Sequence, residues 1–269
     1  MSTNAVEMTP AHKEALAELL FQLADDDFLL SYRGSEWLGL APHIEEDVAS
    51  SSISQDTMGH AKMYFGLLEE LGYGKIDDLA HGRSAKERKN SILVERENGA
   101  GYYMETPRYD WAYAVVRNYF YTLAKKVKID SLKKTTYQPL AEVATKVSME
   151  LFYHHIHWRT WFTQLLSSSD EAKERMNKAI EGVMADFGDV FSYGNASQSF
   201  KEFALIEDAT VLKQRWEAAL EEVVKALHIE SPIIQQPDRN GRLGEHTEEL
   251  DRALSTLSEV YRLNPTVPW

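Results

Sequence analysis

Two acid–histidine pairs are the residues of this sequence whose types and spacing could do chemistry. Asp56 stands four residues before His60, and Glu150 stands four residues before His154. Imidazole and carboxylate together suit several divalent metals, and either group can move protons as a general acid or base. On an α-helix a spacing of four keeps both members on one face. A third acidic feature, Asp25-Asp26-Asp27, lies upstream. Other chemistries are excluded. The chain has no cysteine, so disulfides and thiolate sites are absent. It has no Gly-x-Ser-x-Gly elbow and no P-loop, and Gly99-Ala100-Gly101 lacks the strand-then-helix context of a dinucleotide site and reads as a turn.

Helical periodicity supplies the elements that would position these groups. Apolar spacing predicts long helices over 11–38, 44–71, 109–129 and 138–167, and shorter ones over 170–191, 209–227 and 245–263. Pro42 and Pro139 fall at helix starts, and Gly72 and Gly74 at a stop. One segment departs from this pattern. Residues 91–104 hold two β-favouring runs around Asn98-Gly99 and predict a small hairpin. Residues 230–243 read as a long loop. No Gly/Ser linker and no repeat divides the chain. Residues 1–269 therefore read as one all-α domain, a bundle of long up-and-down helices with extra C-terminal helices.

The acid–histidine pairs interrupt two apolar stripes. In the second helix the stripe runs Ala49, Ile53, Asp56, His60, Met63, Leu67. In the fourth it runs Leu140, Val143, Val147, Glu150, His154, His157, Trp161, Leu165. A carboxylate buried there must be paired, protonated or metal-bound. In the first helix Leu16, Leu20, Leu23 and Leu30 form the stripe; Asp27 falls on it, Asp26 flanks it and Asp25 points away. The third helix presents Tyr113, Val116, Phe120, Leu123 and Val127, and no carboxylate occurs between Trp111 and Ile129.

Di-iron carboxylate bundles need a Glu from each of two helices and Glu-x-x-His from each of the other two. Here the residues three before His60 and His154 are Thr57 and Leu151, the nearest acids sit one position early, and the third helix supplies none. Two readings stay open: one metal held by Asp56, His60, Glu150 and His154, or a hydrogen-bonded polar network that fixes helix register. The missing glutamates favour the network. The expectation is a vestigial site at Asp27, Asp56, His60, Glu150 and His154, with no catalytic residue, metal or cofactor of its own.

The remaining polar features have plainer readings. His155 and His157 suit packing or surface roles, since neighbours on a helix point about 100° apart. His246 reads as a helix-start residue, with Thr247 to cap and Glu248 in the first turn. Lys125, Lys126, Lys128, Lys133 and Lys134 fall where the third helix should end and suit its dipole, the alternative being a dock for an anionic ligand or acidic partner. The net charge of −13 disfavours nucleic acid and anionic membranes. No run approaches the roughly 18 apolar residues of a membrane span, and the amino terminus lacks a basic region followed by an apolar run. A cytoplasmic location is expected.

Several stretches carry a family resemblance: RGSEWLGLAPHIEEDVA at 33–49, SQDTMGHAKMY at 54–64, ILVERENG at 92–99, VVRNYF at 115–120, GEHTEEL at 244–250 and a terminal Trp269. In order and approximate spacing the chain resembles the phenylacetate-degradation oxygenase subunits, the PaaA/PaaC family, and the PaaC type most. That resemblance implies a ferritin-like bundle. It also implies a partner, the di-iron PaaA chain, which activates oxygen to epoxidise the ring of phenylacetyl-CoA. The PaaC type has lost the full ligand set, and only His60 and His154 match ligand positions, with Asp25 or Asp27 as the first-helix acid. The expected function is a structural, non-catalytic subunit in a hetero-oligomer, with self-association when isolated as the other option. Trp158, Trp161 and Phe162 are candidate interface residues, and packing inside the bundle explains them equally well. The rival reading is a metal-binding oxygenase that itself acts on an aryl-CoA. A third, a ferritin-like storage or stress protein, is weakened by the same missing glutamates.

Overall fold

The structure, a computed structural model, describes residues 8–101, 103, 105–236 and 238–267. Tyr102 and Met104 of the expected hairpin, Trp269, and the first seven residues lie outside the described residues.

Four long helices form the centre. The first, α1 (Pro10–Ser35), opens on Thr9, whose hydroxyl accepts from His12 N–H at 3.2 Å, with Pro10 in its first turn. The second, α2 (Ile44–Glu70), starts two residues after Pro42, and the His43 ring accepts from Glu46 N–H at 3.3 Å. Gly72 stops it at φ +84°, with the Tyr73 and Gly72 amides returning to Leu68 O and Glu69 O. A short turn, α3 (Ile92–Glu95), follows. The third long helix, α4 (Trp111–Leu132), is capped by Asp110, and the fourth, α5 (Gln138–Leu166), has Pro139 in its first turn.

Helix α1 packs along α2, α4 along α5, and α2 meets α5. Two further helices, α6 (Asp170–Ala185) and α8 (Ala209–Leu227), cover α4 from outside, and α7 (Ser197–Glu202) packs on α1. Helix α4 is thus sandwiched and buried on nearly every side. Its buried residues include polar ones, Arg117, Asn118, Lys125 and Lys128, which must find partners inside the protein. Phe28, Phe65, Phe120, Phe162, Phe187 and Trp216 belong to one continuous core.

The chain folds as the all-α bundle its periodicity predicts, with differences at the edges. The 170–191 helix ends at Ala185. The 245–263 helix breaks at Ser258 into α9 (Glu248–Leu257) and α10 (Glu259–Leu263). The expected hairpin is displaced. The Ser91 amide donates to Asp26 at 2.7 Å and the Ile92 amide to Asp189 at 3.0 Å, so this run turns helically instead of extending. The only paired strands among the described residues are β1 (Gly99–Ala100) and β2 (Arg108–Tyr109), antiparallel.

Candidate functional site

The faces that α2 and α5 turn to the core share His60, Val147 and His154 with the stripes read in the sequence but hold Thr57 and Leu151 in place of Asp56 and Glu150. Helix α2 buries Ser50, Ser54, Thr57, His60, Ala61 and Tyr64. Helix α5 buries Leu140, Ala144, Val147, Leu151, His154, Trp158 and Phe162. Thr57 and Leu151, the positions where glutamates are missing, therefore point inward. Thr57 bonds its own helix, at Ile53 O, across 2.7 Å. Asp56 and Glu150 stand at the rim, their side chains 44% and 35% exposed.

The two acid–histidine pairs exchange partners across the helices. His60 Nε2 meets Glu150 at 2.5 Å, and His154 Nε2 meets Asp56 at 2.9 Å. This crossed pattern follows from antiparallel packing, which sets 56 opposite 154 and 60 opposite 150. The two imidazole rings lie 6.1 Å apart between them.

Behind His60 stands a residue that the sequence places at a helix end. Lys125 of α4 is buried, and its ammonium donates to His60 Nδ1 at 2.8 Å and to Asp27 Oδ2 of α1 at 2.7 Å. Every long helix thus contributes to one polar centre. Because the ammonium can only donate, His60 Nδ1 accepts, and its Nε2–H is left to donate to Glu150. His60 is then neutral. Burial and the Lys125 charge both push its basicity down. Burial does the same to His154, opposed by its bond to Asp56. Burial and the neighbouring Asp56 charge push Glu150 up. Burial pushes Asp27 up to about 6, with Lys125 opposing. Asp27 Oδ1 and the fully buried Tyr64 hydroxyl make no hydrogen bond within the described chain, and the Asp27 charge acts on that hydroxyl.

Only the Lys133–Lys134 part of the basic run closes a helix as expected, with Lys133 at the C-cap of α4. Helix α4 continues to Leu132, which places Lys125 and Lys128 in its body. Lys128 is also buried and donates to Val190 O at 2.5 Å. Lys126 and Lys133 are surface cations, both on Asp130, and Lys134 is exposed as well. The signal for Lys125 is present in the sequence: it stands four residues after Tyr121 and four before Ile129, on a face apolar to either side of it.

The aspartate run also departs from its reading, because all three side chains are buried. Asp25 does not point to solvent. It turns to the chain after α2, where Arg83 Nη1, Arg88 Nη1 and the Lys89 amide each donate at 2.9 Å. Asp26 takes Arg242 at 2.6 Å. Burial alone would raise both carboxyls, but the arginines hold them low. Asp27 faces the four-helix centre.

The family-like stretches converge in a second polar lattice. Asn98 donates to Arg33 O at 2.7 Å and Glu36 at 2.8 Å, and accepts from Trp37 at 2.9 Å and from Arg117 of α4. Glu95 accepts from the Thr247 amide at 2.6 Å and pairs with His246 at 2.7 Å. His246 is therefore a buried anchor as well as a helix-start residue, and Thr247 marks the start of α9 without a side-chain cap. Glu46 is buried between His157 at 3.0 Å and Trp161 Nε1 at 2.5 Å.

Residues 1–269 match the PaaA/PaaC family, described as phenylacetic acid catabolic protein. The chain is 27% identical over 255 residues to a protein of Escherichia coli (strain K12) named as the C subunit of 1,2-phenylacetyl-CoA epoxidase, covering 94% of this chain and 99% of that one.

A di-iron centre, which a ferritin-like fold can hold, does not fit this donor set. In place of an acid, α4 brings the Lys125 ammonium, whose charge opposes a second cation. No group of three His, Cys, Asp or Glu side chains among the described residues is arranged to hold a metal.

Proposed function

Since the chain belongs to the phenylacetic acid catabolic protein family, we propose that it is the structural, non-catalytic subunit of a multicomponent phenylacetyl-CoA epoxidase, paired with a di-iron catalytic subunit. The observation that carries this reading is the Lys125 ammonium between Asp27 and His60. Di-iron oxygen activation in such a bundle needs metal held at its centre, and here a fixed side-chain cation lies among the central polar groups instead. The likeness to a protein named as the C subunit of such an epoxidase supports the same reading.

A structural subunit needs a face for its partner. The expected interface residues do not provide one, because Trp158 and Phe162 are in the core and Trp161 is tied to Glu46. The exposed apolar residues of α5 are Met149, Phe152, Tyr153 and Ile156, at 61%, 56%, 70% and 48% exposure. Their spacing of three, one and three puts them on one outward stripe. Ile44 and Val48 of α2 are exposed as well. An exposed apolar stripe like that of α5 marks an interaction surface.

Co-expression with the di-iron subunit tests the assignment. The two chains should co-purify and elute together from a sizing column. Separate elution would sink the structural-subunit reading.

A further inference from the structure

The polar centre has one feature that a purely structural network does not require. His60 is posed as metal-ligating histidines are posed: its N–H goes to a carboxylate, Glu150, and its lone pair points at a cation. The cation is the ammonium of Lys125. On the far side of that ammonium, Asp27 offers Oδ2 at 2.7 Å. Its other oxygen, Oδ1, is buried with no hydrogen bond, and so is the Tyr64 hydroxyl. These are unspent donor atoms around a position already occupied by positive charge.

We propose that Lys125 is the resident cation of this centre and keeps it closed to divalent metals, so that removing its charge opens a metal site on Asp27 and His60. The ammonium and a divalent ion compete for the same two ligand atoms. With Lys125 in place, a metal there would sit within a few ångströms of a fixed like charge and would find His60 Nδ1 and Asp27 Oδ2 already engaged. Without it, one imidazole and one carboxylate become free together, both held by helices α1 and α2. A glutamate at 125 adds a third ligand from α4, the helix that has no acid. A set of imidazole plus carboxylates suits Mn²⁺, Fe²⁺ and Co²⁺. The inference rests on the reading of this bundle as non-catalytic. It concerns the isolated chain alone, so its failure would leave the co-purification test untouched.

Cobalt(II) is the probe, because its visible absorption reports ligand geometry. Full-length wild type, Lys125→Glu and Lys125→Met are dialysed against CoCl₂ and the bound metal counted. Lys125→Glu should bind one Co²⁺ per chain at least about 100-fold more tightly than wild type, the effect of replacing a like charge at contact distance by an opposite one. Lys125→Met should bind with intermediate strength. Adding His60→Ala to Lys125→Glu should abolish the binding and its absorption bands. Should a variant fail to fold alone, Co²⁺ in the refolding buffer should restore its helical circular dichroism. Stoichiometric Co²⁺ on the wild type would overturn the proposal. So would equal affinities in all three proteins, binding that survives His60→Ala, or an unfolded variant that Co²⁺ does not rescue.

Discussion

Lys125 of α4 donates a hydrogen bond to His60 Nδ1 of α2 across 2.8 Å, and this contact fixes which His60 nitrogen carries the proton. It makes His60 an acceptor at Nδ1 and a donor at Nε2. The chain of donation then runs one way, from Lys125 to His60 to Glu150, with Asp27 accepting a second hydrogen bond from the ammonium.

Removing the ammonium strands a buried carboxylate. Lys125→Met should lower unfolding stability in metal-free buffer by about 3–5 kcal/mol, the cost of leaving one partner of a buried ion pair alone. Asp27→Asn in the same chain should recover most of that loss, because the unpaired charge goes with it. Urea denaturation of the two variants measures both numbers.

The pH dependence has a definite sign. His60 is neutral when folded, with its affinity for protons lowered by burial and by Lys125. In the unfolded chain it protonates near its ordinary value of about 6.5. Below that pH the unfolded state binds the extra proton, so stability is present above about 6.5 and is lost as the pH falls. His154 shifts in the same direction. Asp27 acts oppositely: its folded carboxyl titrates at about 6, above its unfolded value, so its own contribution weakens as the pH rises through that window. Between pH 6.5 and 5, wild type should therefore lose up to about 2 kcal/mol relative to His60→Gln. Chemical denaturation of both proteins at the two pH values gives the comparison. An equal pH slope for both would contradict a neutral His60.

The crossed pairs should differ in strength according to depth. Asp56 is 44% exposed, so its coupling to His154 should stay below about 1 kcal/mol. His60 is fully buried and its bond to Glu150 is shorter, so that pair should couple more strongly. Two double-mutant cycles, Asp56→Asn with His154→Gln and Glu150→Gln with His60→Gln, rank them.

Legibility in the sequence differs from element to element. The long helices follow from apolar spacing and from Pro42, Pro139 and Gly72 near their ends. Asp56, His60, Glu150 and His154 are identifiable because each acid–histidine pair interrupts an apolar stripe. Their pairing is not, since it depends on the antiparallel register of α2 against α5. At the two acids the face read from spacing is off by one residue, because Asp56 and Glu150 reach inward from a rim while Thr57 and Leu151 take the core positions; His60 and His154 stay on the face as read. Lys125 escapes notice because a helix end set at 129 instead of 132 makes it a terminal cation. The stretches shared with the family give no hint of their role either. Asn98 looks like a turn residue, yet its amide ties α1, the chain after α3 and α4 together, a contact spread over residues 33 to 117.

The α5 stripe should matter for assembly and not for folding. Phe152→Ser with Tyr153→Ser should change stability by no more than about 0.5 kcal/mol, as exposed substitutions do. The same pair should weaken association with the di-iron subunit about tenfold or more if these residues are interface anchors. Thermal melting of the isolated chain and titration of the labelled partner separate the two effects.

The central claim is that this chain supports oxygenation without performing it. Phenylacetyl-CoA epoxidation by the reconstituted multicomponent enzyme tests it most directly. The assay compares wild-type chain, no chain, and His60→Gln with Glu150→Gln, with assembly of the variant confirmed on a sizing column. The account predicts that omission abolishes product formation while the double variant stays within about twofold of wild type, the span of a fraction of a kcal/mol in barrier. An assembled double variant as inactive as the mixture lacking the chain would contradict it.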